Sequence, residues 1–129
     1  MKSISKKIVY WSPRILSIAF ILFLALFALD VFKEYSGWNI IPALFIHLLP
    51  SLVLIVFIII AWKYDLIGTA VFLTMAIFYV LMVGIHHHWS WYASISGPSA
   101  VIGTLYFISW FQKRSLKKTS LTEWRKKEN

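Results

Sequence analysis

The sequence predicts an all-α integral membrane protein, with four transmembrane helices in an up-down-up-down bundle and a basic cytoplasmic tail. Of its 129 residues, 60% are hydrophobic, and the mean hydropathy is +0.74. Only 14% are charged, whereas a soluble domain carries about 25%. A soluble chain of this size could not bury so much apolar surface, because small domains have a high surface-to-volume ratio. A bilayer can cover that surface instead.

The first two helices are predicted over about residues 13–32 and 40–62. Ser12 is placed to cap the first helix, and Pro13 suits a first helical turn, where no amide donor is needed. Basic residues precede this helix, but no small-residue cleavage site follows it. We therefore expect a retained helix and not a signal peptide.

The third and fourth helices are predicted over about residues 66–85 and 98–111. Asp65 is placed to cap the third, and the fourth, which is the shortest, starts at Gly97 and Pro98. About 20 helical residues span the hydrocarbon core, and a helix satisfies its own backbone in lipid. The short links "KEYSGWN" and "KYD" make neighbouring helices antiparallel. Residues 1–111 thus form the membrane domain and residues 112–129 the tail.

The net charge of +8 is concentrated at the two ends of the chain. With four spans, twelve of the thirteen basic residues fall on one side, and only Lys33 lies opposite. The positive-inside rule then places both termini in the cytoplasm of a multi-pass cell-membrane protein. Because these charges flank apolar runs, we expect them to meet anionic lipid headgroups and not nucleic acid.

Tryptophan marks the predicted membrane boundaries, where side chains with an apolar body and a polar edge collect. The predicted belt consists of Trp11, Trp38, Trp62, Trp89, Trp91 and Trp110. The tract His86–His88 adjoins this belt. Consecutive histidines point in different directions, whereas metal ligands on a helix are spaced so that they converge. We therefore predict an interfacial role for the tract, with a pH-sensitive role and a metal or haem site as alternatives.

A polar layer is predicted in the outer half of the bundle. Counting outward from the first hairpin turn places Asp30 level with His47, and the other links bring Tyr79 and Thr104 to the same depth. Ionisable groups at membrane depth are costly and need a partner. We expect Asp30 and His47 to pair directly or through water, although Lys33 could also pair with Asp30.

Three interpretations of this layer remain open. Pro50 cannot donate to the carbonyl of Ile46, so it predicts a kink beside His47. The layer is then a hydrogen-bonded element of bundle packing. The alternatives are a proton or ion pathway through Asp30 and His47, and a metal or ligand site.

Small residues at spacings of four mark a second packing surface on the fourth helix. Ser99 and Gly103 are one such pair, and the second row contains Ser96, Ala100 and Thr104. This spacing allows close helix approach, either inside the bundle or against a second protein. The tail is predicted to lie along the cytoplasmic membrane surface, where it can form a helix, and the alternative is a disordered basic segment.

Short motifs in the four predicted helices resemble a family of small bacterial integral membrane proteins that contain a domain of unknown function. The motifs are "SPRIL", "FALDVF", "HLLP", "AWKYDLIG" and "GPSAVIGTLYFISW". The resemblance implies a four-helix membrane protein without an assigned activity, and it carries over no catalytic residue.

The pattern favours a structural or accessory membrane protein, acting through contacts with other helices or with lipid, as a homo-oligomer or in a larger complex. We expect no enzymatic activity, no metal and no cofactor. Cysteine is absent, which excludes thiolate chemistry. The alternative function is a minimal transporter or ion-conducting oligomer that uses the Asp30–His47 layer.

Overall fold

A computed structural model describes residues 2–128, and all regular structure in that range is helical. Two short 3-10 turns, Ala28–Asp30 and Gly37–Asn39, flank the helix α2 and the link that follows it. The five α-helices are α1 (Lys2–Phe27), α2 (Val31–Glu34), α3 (Ile40–Lys63), α4 (Asp65–Val83) and α5 (Trp89–Glu128).

Three helical segments are long and apolar enough to cross a membrane. They are Ser3–Glu34, Gly37–Lys63 and Asp65–Val83. The first includes α1 and α2, which are joined by the 3-10 turn, and the other two contain α3 and α4. The prediction of an all-α chain is therefore confirmed for the described residues, and three of its helices are candidate membrane spans. The fourth span remains a prediction.

The first helix begins at Lys2, so the prediction that Ser12 and Pro13 start it is wrong. Pro13 lies inside α1 and has no amide hydrogen for the carbonyl of Val9. The hydroxyl of Ser12 donates to that carbonyl at 3.4 Å. The serine thus supplies a bond that the proline cannot make, and the helix continues through both residues.

The fourth long helix, α5, begins at Trp89 and not at Pro98, and it continues through the tail to Glu128. Contacts with α4 and with the residue that follows it hold its first turns. The Ser96 hydroxyl donates to the Ala76 carbonyl at 3.1 Å, and the Tyr92 hydroxyl donates to the carbonyl of Gly84, which directly follows α4. The tail is therefore helical and the disordered alternative is wrong, whereas its position along the membrane surface stays a prediction.

The four long helices form a bundle in which α1 and α4 each pack against α3 and α5. The core lies along the bundle axis, and the ring of Phe72 stacks on that of Tyr106 with centroids 6.1 Å apart. The buried core cluster consists of Phe20, Ile21, Leu54, Ile58, Ala61, Phe72, Ile102 and Tyr106.

Small residues let α4 and α5 approach closely. A β-carbon on Gly68 would lie 2.8 Å from the ring of Tyr106, and one on Gly103 would lie 2.9 Å from the side chain of Leu73. Ser99 is fully buried on the same helix as Gly103. The Ser99–Gly103 pair of α5 therefore packs within the bundle, whereas Thr104 of the second row is exposed.

We expect Gly68→Ala to destabilise the protein by about 1–3 kcal/mol, because its methyl group would overlap the fully buried ring of Tyr106. Gly97→Ala is the matched control: its β-carbon would meet nothing closer than 4.0 Å, and alanine favours a helix by up to about 1 kcal/mol over glycine. Unfolding in mixed detergent micelles measures both. Equal stability of the two variants would contradict the close approach.

Candidate functional site

A buried ion pair lies where α3 ends and α4 begins. The Arg14 Nη2 atom is 2.7 Å from the Asp65 Oδ1 atom, and the two side chains are 0% and 1% exposed. The same guanidinium donates to the carbonyl of Trp62 at 3.1 Å and to the carbonyl of Tyr10. Arg14 therefore ties α1 to the ends of both α3 and α4.

The second carboxylate oxygen of Asp65 binds two groups on α5. The Ser109 hydroxyl donates to Asp65 Oδ2 at 2.9 Å, and the Lys113 Nζ atom lies 2.7 Å from the same oxygen. The side chain of Lys113 is 45% exposed, so the cluster extends to the protein surface. All four long helices contribute to this Arg14–Asp65 cluster.

Aromatic rings cover the two cations. The ring centroid of Tyr10 lies 3.7 Å from Arg14 Cζ and 4.7 Å from Lys113 Nζ, distances at which an aromatic face attracts a cation. The ring of Tyr106 lies 6.0 Å from Arg14 Cζ. The hydroxyl of Tyr106 is in hydrogen-bond contact with that of Ser17 at 3.3 Å. Tyr106 thus connects the charged cluster to the buried core, of which its ring is a part.

The cluster combines two cations with one carboxylate, so it carries an excess positive charge. Buried charges are tolerated when they are paired and hydrogen-bonded, and both oxygens of Asp65 meet this condition. Arg14 Nε is buried without a hydrogen-bond partner among the described groups. The Asp65 carboxylate therefore supplies the counter-charge for both Arg14 and Lys113.

The residues of the predicted polar layer do not form hydrogen bonds with one another in the described part of the chain. Asp30 pairs with Lys33 at 3.0 Å, on the exposed surface. His47 Nδ1 lies 2.9 Å from the carbonyl of Ala43 on its own helix, and its side chain is also exposed. Residues at one depth can point in different directions, and here each ionisable group finds a partner near itself in sequence.

The other two members of the predicted layer are equally separate. Thr104 is exposed and donates to the carbonyl of Ala100 at 2.8 Å, and Tyr79 is half-buried. The helix α3 continues through Pro50, where the hydroxyl of the next residue, Ser51, is buried without a partner in the described structure. The predicted kink stays a prediction.

The tryptophans of the predicted belt are exposed, apart from the half-buried Trp110. Trp11 and Trp62 lie edge to face, with ring centroids 6.4 Å apart, beside the Arg14–Asp65 cluster. Trp110 adjoins Ser109 of that cluster. These three rings therefore share one end of the bundle, and their interfacial role stays a prediction.

The tract His86–His88 is exposed in the link between α4 and α5. His88 Nδ1 lies 3.1 Å from the hydroxyl of Ser90, and the ring of His87 lies 5.6 Å from that of Trp91. Over residues 2–128, no three histidine or carboxylate side chains converge in an arrangement suited to a metal ion.

The Arg14–Asp65 pair is the contact that the sequence prediction missed. Asp65 was expected to cap α4, but its side chain makes no capping bond and is buried against Arg14 instead. The counting that predicted the polar layer also places Pro13 level with Tyr64. Arg14 follows Pro13 and Asp65 follows Tyr64, so the counting brings these two opposite charges to nearly the same depth. That coincidence in two apolar segments was the available signal.

Comparison with known protein families finds a match that covers most of the chain. Residues 1–118 match a family described as a domain of unknown function, DUF7670. The chain belongs to the DUF7670 family. No curated protein and no solved structure matches it. The DUF7670 region ends at residue 118, so it contains every member of the Arg14–Asp65 cluster and the first part of the tail.

We expect Asp65→Asn to destabilise the protein by about 3–5 kcal/mol, because it leaves two cations, one of them fully buried, without a counter-charge. Arg14→Gln should cost less, since Asp65 keeps Lys113 and Ser109. The double variant should lose less than the sum of the two single losses.

Unfolding in mixed detergent micelles measures these three variants, with Asp30→Asn as the control. That change removes a pair in which both partners are exposed, and it should cost less than about 1 kcal/mol. Strictly additive losses for Asp65→Asn and Arg14→Gln would contradict the coupling.

Proposed function

We propose that this DUF7670 protein is a bacterial cell-membrane protein with four spans and both termini in the cytoplasm. Its role is structural or accessory, through contacts of its helices with lipid or with other membrane proteins. The observation that carries the proposal is the Arg14–Asp65 cluster, which fixes all four long helices at one end of the bundle.

The first part of α5 is proposed as the fourth span. Residues 89–111 contain no charged side chain, and at 1.5 Å per residue they cover about 34 Å, enough for the hydrocarbon core. This segment packs along α4 and runs antiparallel to it, because Ser96 contacts Ala76 while Ser109 contacts Asp65. It is more polar than the other three spans, in keeping with its small residues that face α4.

The cytoplasmic side is proposed to be the end that contains the Arg14–Asp65 cluster. Basic residues concentrate there in the first turns of α1 and in the last turns of α5, and the positive-inside rule assigns that side to the cytoplasm. The excess cation of the cluster, Lys113, reaches the surface at the same end. Anionic headgroups are the partners that this charge favours.

A structural role fits the way in which Asp65 is bound. One of its oxygens accepts from Arg14 and the other from Ser109 and Lys113. A carboxylate held in this way fixes helices in place and offers no free oxygen to a substrate or an ion. The conducting alternative depends on Asp30 and His47, whose observed hydrogen-bond partners are Lys33 and Ala43.

The natural absence of cysteine makes the topology directly testable. We expect Ser36→Cys and His87→Cys to react with an impermeant maleimide from outside intact cells, because both lie in links at the proposed outer end. Thr122→Cys should react only after the membrane is permeabilised. Labelling of residues 87 and 122 from the same side would exclude the fourth span. Labelling of residue 122 from outside, with residues 36 and 87 protected, would reverse the orientation.

A further inference from the structure

The first turns of α1 and the last part of α5 leave a groove of about 740 Å³ between them. Its apolar walls are Ile4 and Ile8 on one side and Leu116 on the other, with the small side chains of Ser5 and Ser115 between them. No hydrogen bond engages either serine hydroxyl in the described part of the chain. The groove is therefore a shallow, mostly apolar channel between two helices.

In the membrane arrangement of the proposed function, on which this inference rests, the groove lies at the aqueous edge of the bilayer. Trp11 lies beside Trp62 at the predicted boundary. Ile4 comes seven residues earlier in α1, which is about 10 Å further along the axis, whereas a headgroup layer is about 5–8 Å thick. Ile4 is nevertheless 64% exposed, and Ile8, which lies about 5 Å from Trp11 along the axis and so within the headgroup layer, is 61% exposed. Exposed apolar side chains that line a groove at the aqueous edge of the bilayer mark a docking surface.

The charge around the groove is positive. Lys6 lines the groove. Lys6 and Lys7 together line a neighbouring concavity beside Tyr10. Residues 3–12 contain no acidic side chain, and Lys113 follows Gln112 of the opposite wall. An occupant must therefore combine apolar side chains with negative charge.

We propose that this groove docks an acidic amphipathic helix of a partner protein. Ile4 and Ile8 are one helical turn apart, a spacing that matches apolar anchors on a facing helix. Glutamates or aspartates beside those anchors would face Lys6 and Lys7. A second copy of this chain is disfavoured because its corresponding segments are basic too, and like charges repel.

The test uses the full chain in nanodiscs of zwitterionic lipid and a labelled synthetic peptide of about four helical turns. The peptide carries leucines at helical spacings of three and four, and glutamates at the remaining positions. Fluorescence anisotropy measures its affinity against that of a scrambled peptide of the same composition. We expect the amphipathic peptide to bind at least about tenfold more tightly, because only it presents its leucines on one face.

Variants locate the binding site on the protein. Ile8→Ser and the groove-filling Ser115→Trp should each weaken binding by about tenfold or more, and Lys6→Gln by about fivefold. The matched controls are Leu121→Ser and Lys127→Gln, which alter an exposed apolar residue and a basic residue of α5 outside the groove. These controls should leave the affinity unchanged, and thermal melts verify that each variant is folded.

Three outcomes would overturn the proposal: no binding of the amphipathic peptide, equal affinity for the scrambled peptide, or equal losses in the groove variants and their controls. Anionic lipid provides a further arm. If native mass spectrometry shows a retained anionic lipid that Ile8→Ser releases, and that lipid prevents peptide binding, then the groove is a lipid site. The maleimide experiment tests the four-span topology separately. A labelling pattern that rejects this topology would leave the measured peptide affinity unchanged, so the failures of the two proposals are distinguishable.

Discussion

The rest of the bundle depends on the compensation of one buried carboxylate. Asp65 sits at the start of α4, almost fully enclosed, and it is stable there because Arg14, Ser109 and Lys113 bind both of its oxygens. These partners come from α1 and α5, while Arg14 also holds the last turn of α3 through Trp62. The helix ends are therefore aligned by a set of directional contacts, and the apolar core packs beside them.

The core and the Arg14–Asp65 cluster each contribute to specifying the fold. In lipid, apolar side chains gain little by leaving the bilayer for the protein interior, so close packing and polar contacts must select one arrangement of helices. Gly68 and Gly103 provide that close packing between α4 and α5. The Arg14–Asp65 pair provides the polar selection, since a rotated or shifted helix would leave a charge buried without its partner.

Hydropathy was sufficient to predict three helices that are long and apolar enough to cross a membrane, because this property depends on composition within one segment. Helix ends were less predictable: Ser12 and Pro13 resemble a helix start, yet the hydroxyl of Ser12 bonds the carbonyl that Pro13 leaves free, and α1 continues. The polar contacts were the least predictable. Sequence distance from a hairpin fixes depth but not direction, so it placed Asp30 level with His47 without showing that each bonds a nearer neighbour.

The position of Arg14 has a consequence for how the protein is made. Chains emerge from the ribosome from the N-terminus, so α1 meets the membrane with its guanidinium before α4 has been synthesised. Until then, Arg14 can keep its charge in water at the membrane boundary, as long basic side chains do. Asp65 gives it a partner, and the later arrival of Ser109 and Lys113 saturates the second oxygen. The same contact that holds the finished bundle thus sets an order in which its helices become committed to one another during biosynthesis.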